Sequence, residues 1–349
     1  MNKFTFVFIL LLLFLVSCTD YALVEETKGI QENKEGPKGP PPGELVKSSG
    51  PYVVDWSVSD FQPPVGASEN ANDVTKGEEN PGGMRLLIAT SDDALTWVKK
   101  NEAFIDQAGA PSALYVDQTI FLYYMTFEEG HENEIVLAVS NDNGKTWIYK
   151  RVYINITGRA ADPTVVLTDD GTFRMYITTQ LANEEYRSIR SAISTDGINF
   201  YMEDGIRVET VFGDSYPVAS SIIHIDGVWH LHTLSRLGSS DHGSENAHLT
   251  SEDGLTFTEQ DPIDLGFLFA NGLASTEGYF YYGMQKSADS DTMMSIYVAT
   301  TEDGYTYDNK GIILDVEESD LETYLLKEPA VVQLSDGTYL MFYNSVIPT

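Results

Sequence analysis

Two carboxylates stand directly before a proline at the head of β-branched runs: Asp162 in ADPTVVL and Glu328 in KEPAVVQL. Two carboxyl groups placed across one bond can divide the work of acid and base, the arrangement that hydrolysis of a glycosidic bond requires. Cations and proton carriers lie close to them in sequence. Arg159 precedes Asp162, Lys327 precedes Glu328, and the stretch SRLGSSDHGSENAH supplies Arg236, Asp241, His242 and His248, while Gln285 and Lys286 follow FYYGM. Arg and Lys can neutralise a sugar carboxylate or sulfate while His or Tyr moves a proton. Taken singly, His242 and Lys286 equally suit exposed loop positions. His224, His230 and His232, with the tyrosines at 123, 124, 281 and 282, fit packing roles better.

These residues must be positioned by a repeat. SDDALTW (91–97), SNDNGKTW (140–147), STDGINF (194–200), SEDGLTF (251–257) and TEDGYTY (301–307) recur at intervals of roughly 50 residues, the range of propeller blades. In each, an Asp can accept backbone N–H groups, most carry a Gly for the positive φ of a tight turn, and an aromatic closes the motif. They resemble Asp-box turns. Between them run hairpins of alternating side chains, such as SALYVDQTIFLYYMT, TVVLTDDGTFRMYIT and AVVQLSDGTYLMFYN. A blade therefore reads as strand A, acidic turn, strand B, loop, strand C, Asp-turn, strand D. The last hairpin, 330–344, has no C and D strands after it, and MRLLIAT (84–90) has no A and B strands before it. Joining them predicts an all-β fold, a five-bladed β-propeller over residues 84–349 whose N-terminal strands complete the last blade and leave no long edge open.

Strand parity then separates two faces. All the acidic turns fall on one rim, so their carboxylates are structural. Chemistry belongs on the other, where the A strands begin: Gly109-Ala110-Pro111, Ala161-Asp162-Pro163, Ser215-Tyr216-Pro217, Ala270-Asn271-Gly272 and Lys327-Glu328-Pro329.

Acidic residues at A-strand starts, set before proline, make the propeller resemble five-bladed glycosidases of the family 43 and family 32 type. The resemblance implies that Asp162 is the family's pKa-tuning Asp, and Glu328 has the same local form. It also marks two departures. The first complete blade has Gly109-Ala110-Pro111 where the family places a general-base Asp, and the third has Asp214-Ser215-Tyr216-Pro217 where a general-acid Glu is expected; Asp106 or Asp214 could substitute from nearby, but neither is at the matching position. Three readings stay open. One is a glycosidase acting on oligosaccharides, with Asp162 and Glu328 catalytic and Arg159, Arg236, Tyr216, Asn271, Lys286 and Lys327 binding substrate. Another is a lyase or dehydratase in which His242 or a Tyr abstracts the proton beside a uronate carboxylate. The third is a glycan-binding protein without activity. A sialidase is disfavoured, because it normally has six blades and three arginines gripping a carboxylate, whereas only five boxes appear here and Arg159, Arg174, Arg190 and Arg236 do not follow its motifs.

Composition sets the surroundings. With 53 acidic against 21 basic residues and a net charge of −32, the chain offers no basic face for nucleic acid. Residues 1–17 (MNKFTFVFILLLLFLVS) followed by Cys18 resemble a bacterial lipoprotein signal, and Cys18 is the sole cysteine. The expectation is a monomer acylated at Cys18 and tethered to the outer membrane or cell surface, with its oligosaccharide as the only other partner. Residues 18–50, with PKGPPPGE, read as a disordered linker, and 51–83 as an extended segment dressing the propeller. No residues are assigned to a metal. The loops carry oxygens enough for a structural Ca²⁺, yet no EF-hand spacing is present.

Overall fold

Alternating side chains within short runs separated by Asp- and Gly-rich turns give antiparallel sheets arranged as five blades. The computed structural model describes residues 55–65, 76–77, 81–131, 134–182, 184–211, 216–236, 245–285 and 295–349. The signal, Cys18 and the linker lie outside these residues, as do Asp214, His242 and Lys286.

Blade 1 is built from Ala108–Val116, Thr119–Thr126, Glu134–Ser140 and Ile148–Arg151, as strands A to D from hub to edge. Blade 2 runs Gly158–Leu167, Phe173–Leu181, Ser188–Ser194 and Asn199–Met202. Blade 3 contains Tyr216–Ile225, Val228–Arg236, Ala247–Ser251 and Thr258–Glu259. Blade 4 contains Phe267–Ser275, Gly278–Gln285, Ser295–Thr301 and Tyr307–Asp315.

Blade 5 is made from both ends of the chain, as the leftover half-blades require. Its A and B strands are Thr323–Gln333 and Tyr339–Val346; its C and D strands are Met84–Ser91 and Trp97–Lys99. Strand C pairs with B over eight positions, from Met84 opposite Val346 to Ser91 opposite Tyr339. The ring is therefore closed by backbone hydrogen bonds rather than by side-chain contact alone. Upstream, Asp60 donates its N–H to Tyr149 O (3.0 Å) and Ser59 Oγ accepts from Tyr149 N (3.1 Å), so this segment lies on the outer strand of blade 1.

The five acidic turns share one hydrogen-bond pattern. In the second, Asp142 Oδ1 accepts from the N–H groups of Lys145 (3.1 Å) and Thr146 (2.9 Å), while Gly144 N donates to Ser140 Oγ (2.9 Å). Asp93, Asp196, Asp253 and Asp303 repeat it. Backbone donors hold the carboxyls of Asp93 and Asp253 down at about 2, so both remain ionised acceptors.

Three of these turns also receive a tyrosine from a neighbouring blade. Tyr123 of blade 1 donates its hydroxyl to Gly197 O of blade 2 (2.8 Å), Tyr176 of blade 2 to Gly254 O of blade 3 (2.8 Å), and Tyr282 of blade 4 to Ala94 O of blade 5 (3.1 Å). These rings are fully buried. Each contributes its apolar area and about 1 kcal/mol for the bond that keeps its hydroxyl from being orphaned.

The junction of blades 3 and 4 is built differently. His230 and His232 of strand B and His248 of strand C stack there; His230 Nδ1 meets His248 Nε2 at 3.0 Å, and the ring centroids of His232 and His248 lie 4.7 Å apart. Phe269, Tyr281, Tyr305 and Tyr307 of blade 4 cover the stack, and Tyr307 Oη meets His232 Nε2 at 3.1 Å. Burial lowers all three imidazoles below their ordinary range, His248 to about 4. His248, read from sequence as a loop residue, is instead in register with His232 inside the sheet.

Candidate functional site

The inner strands pack in a closed order around the axis, with blade 1 between blades 5 and 2. Polar ties fix the order: Ser112 Oγ accepts from Val165 N (2.9 Å), Thr164 Oγ1 donates to Ser220 O, and Asn271 Oδ1 accepts from Val331 N (3.1 Å).

Every inner strand breaks register with its B strand, between Gly109 and Ser112, opposite Tyr176 to Thr178, between Val218 and Ser220, between Phe269 and Asn271, and between Lys327 and Ala330, where blade 5 has a further break between Thr323 and Lys327. A bulge re-aims the side chain it carries. In blades 1, 2 and 5 the residue before the bulge proline is left-handed: Ala110 at φ 49°, Asp162 at 51° and Glu328 at 52°. A non-glycine residue held there costs on the order of 1 kcal/mol or more, and such strain collects at functional sites.

Asp162 and Glu328 therefore occupy the same place in two inner strands, with Ala110 in the strand between them. Glu328 is held on both oxygens. Oε2 accepts the N–H of Ala110 at 2.9 Å, and Oε1 lies 3.5 Å from Lys327 Nζ, both side chains being largely buried. The backbone N–H of Asp162 points at Met125 Sδ, 3.3 Å away. Met125 carried no signal in the sequence; it is an ordinary core position until the bulge turns an amide toward it.

The remaining candidates fall in three groups. Arg159 is exposed on strand A of blade 2, in register with Gln180 and three residues above Asp162. Tyr216 and Arg236 are placed by their backbones and face each other at the top of blade 3. Asn271 is buried, with its oxygen engaged by the next blade as above.

Asp106, one of the two nearby carboxylates that could substitute at the place of Ala110, is engaged elsewhere. It is fully buried and paired with Arg85, which is 2% exposed, through contacts of 2.8 and 2.7 Å. Burial raises its pKa against the pull of that guanidinium, and the pair ties residues 105–106 to the first strand of blade 5. Arg174 and Arg190 are likewise spent, on Glu203 (2.9 Å) and Glu184 (2.6 Å). Among the described residues no group of three His, Cys, Asp or Glu side chains is arranged to hold a metal ion.

No family model and no curated protein matches the chain. Solved structures do. A thermostable family 43 glycoside hydrolase superposes with a TM-score of 0.53 at 14% identity, covering 68% of this chain and 88% of its own. A glycosyl hydrolase from Bacteroides ovatus gives 0.53 at 14% over 85% and 93%, and an α-L-arabinofuranosidase from Clostridium thermocellum gives 0.51 at 15% over 65% and 79%. At these identities the likeness is one of architecture: the chain has the five-bladed propeller fold found in family 43 glycoside hydrolases.

Proposed function

We propose that the protein is a glycosidase acting on oligosaccharides derived from acidic polysaccharides, with Asp162 and Glu328 as its carboxyl pair. The observation that carries this reading is their shared conformation, since two carboxylates sit at the same strained, pre-proline bulge of the hub while most other carboxylates described above are consumed by turns and ion pairs. The hydrolases that share the fold support it. Lys327 and Arg159 supply the positive charge that an acidic sugar needs against the protein's net −32. Glu328, oriented by Ala110 N–H and beside Lys327, takes the role of base or nucleophile in this reading, and Asp162 that of tuning or donating the proton.

Ala110 favours a second reading. It provides no carboxylate between Asp162 and Glu328, so elimination at a uronic acid unit, with Lys327 neutralising the sugar carboxylate and His242 or a Tyr taking the proton, also suits the hub. A binding protein without activity is the third. Incubation with acidic and neutral oligosaccharides separates them: new reducing ends without ultraviolet absorbance support hydrolysis, absorbance from an unsaturated uronate supports elimination, and binding with neither supports the third. Acylation at Cys18 would tether the protein to the bacterial envelope. Metabolic labelling with a palmitate analogue tests it, and label retained by Cys18→Ser would remove that assignment.

A further inference from the structure

Blade 2 carries an added outer strand, Tyr153–Ile154, running parallel to strand D before the chain turns into strand A. The exit of this strand, the B–C loop and the loop after strand D enclose an open cleft of about 370 Å³. Its size falls in the range of small-molecule sites. It opens on the rim where the A strands begin.

We infer that this cleft is a distal subsite holding a neutral sugar unit of an oligosaccharide whose reacting end lies at Asp162 and Glu328; the inference rests on the carbohydrate reading above. The lining has the mixed character of a sugar ring. Leu181 and Met202 offer apolar surface for the C–H face of a pyranose. Asn155, Thr157, Glu203 and Asp204 offer donors and acceptors for hydroxyl groups.

The charged groups are fixed in advance. Arg190, 9% exposed, gives Nη1 to Thr179 Oγ1 (2.9 Å) and Ser188 Oγ (2.7 Å) and Nη2 to Glu184 Oε1 (2.6 Å). Glu203 receives Arg174 through two bonds of 2.9 and 3.0 Å. Asn155 is locked by accepting Met202 N at 2.6 Å. Such groups lose little freedom on meeting a ligand. Two carboxylates on the wall accept hydroxyl protons well and repel a third carboxylate, which assigns a neutral unit to the cleft even where the unit at the hub is acidic.

Reach is consistent with one bound chain. Leu181 is in register with Gly158, and Gly158 to Asp162 spans four residues of strand A, at most about 14 Å. A single sugar cannot bridge that distance. A chain of several units can.

The test uses surface plasmon resonance on the native chain, Ala182→Trp, which fills the cleft, and Asp204→Ala. The probes are two-, four- and six-unit fragments of glucuronoxylan, a neutral xylose chain bearing glucuronic acid. Affinity for the six-unit probe should fall roughly tenfold or more in Ala182→Trp and several-fold in Asp204→Ala, with two-unit binding unchanged. An unaltered melting temperature checks the fold of each, and Asp204→Ala carries the test if the tryptophan variant melts early. Six-unit affinity equal to native in both variants overturns the subsite and leaves the hub reading standing. Absence of binding by every fragment to the native chain overturns the subsite as one for such a chain, while the hub reading is decided separately by the reducing-end assay.

Discussion

The backbone N–H of Ala110 donates to Glu328 Oε2 at 2.9 Å, joining the inner strands of the first and last blades at the position where both chains turn left-handed. Ala110 thus contributes a backbone amide, and no carboxylate, to the hub. The bond orients Glu328, and it spans the junction beside the seam at which the ring closes.

Asp162→Asn and Glu328→Gln each retain the side-chain shape and the oxygen that accepts a hydrogen bond. Turnover of the substrate identified by the reducing-end assay should fall by about 10²-fold or more in each, the loss expected for a positioned acid or base. Melting temperature should stay near native. Substantial activity in both variants would remove these residues from the chemistry.

The imidazole stack predicts an acid-labile junction between blades 3 and 4. Folded pKa values are lowered for His230, His232 and His248, so the unfolded chain binds more protons below the ordinary histidine pKa near 6.5. The stability this represents is present above about pH 6.5 and is lost as pH falls toward 4. With His248 at about 4, its share of the loss is about 2 kcal/mol by pH 5. Asp303 faces the cluster from the blade 4 turn and partly offsets this for His230, while His224 opposes it. Urea midpoints at pH 7.5 and 5 measure the slope, which His248→Gln should flatten. The Asp-turn carboxylates lose their contribution only below about pH 4, a separate window.

Gly254 closes the turn of blade 3 at φ +69°, and a Cβ there would lie 2.9 Å from both Arg174 Nη1 and Tyr176 Oη. Gly227, at φ +88°, has open space around it. Gly227→Ala should therefore cost about 1 kcal/mol for its backbone alone. Gly254→Ala adds displacement of the buried tyrosine and should cost about 2–4 kcal/mol. Equal losses in denaturant titrations would show that the turn is not sterically coupled to its neighbour.

Arg85→Met leaves Asp106 buried without a cation, and about 3–5 kcal/mol should be lost. The double variant Arg85→Met with Asp106→Leu removes both charges and should recover most of that. A double variant no more stable than Arg85→Met would assign the cost to packing rather than to the unpaired carboxylate.

Much of this was legible along the chain. The blade period, the closing of blade 5 by residues 84–99, the structural use of the Asp-turns and the burial of Tyr123 and Tyr282 follow from local patterns that report which side chains alternate and where the chain must turn. Those signals depend on neighbours a few residues away. The use of Asp106 could not be read from sequence because its partner, Arg85, lies on the other side of a hairpin and only strand pairing brings the two together. His248 misled because the loop before it has no pattern that marks where strand C resumes.

The sequence by itself determined the architecture and singled out Asp162 and Glu328, because a proline-flanked acid at a strand start is a local feature repeated with the blade. Tertiary structure decided what a repeat cannot encode: the common left-handed bulge at Ala110, Asp162 and Glu328, the amide that holds Glu328, and the cleft beside the added strand of blade 2. Each of these arises from segments distant in the chain meeting at fixed geometry, and a left-handed backbone at an Ala, Asp or Glu, unlike one at a glycine, leaves no mark in residue type.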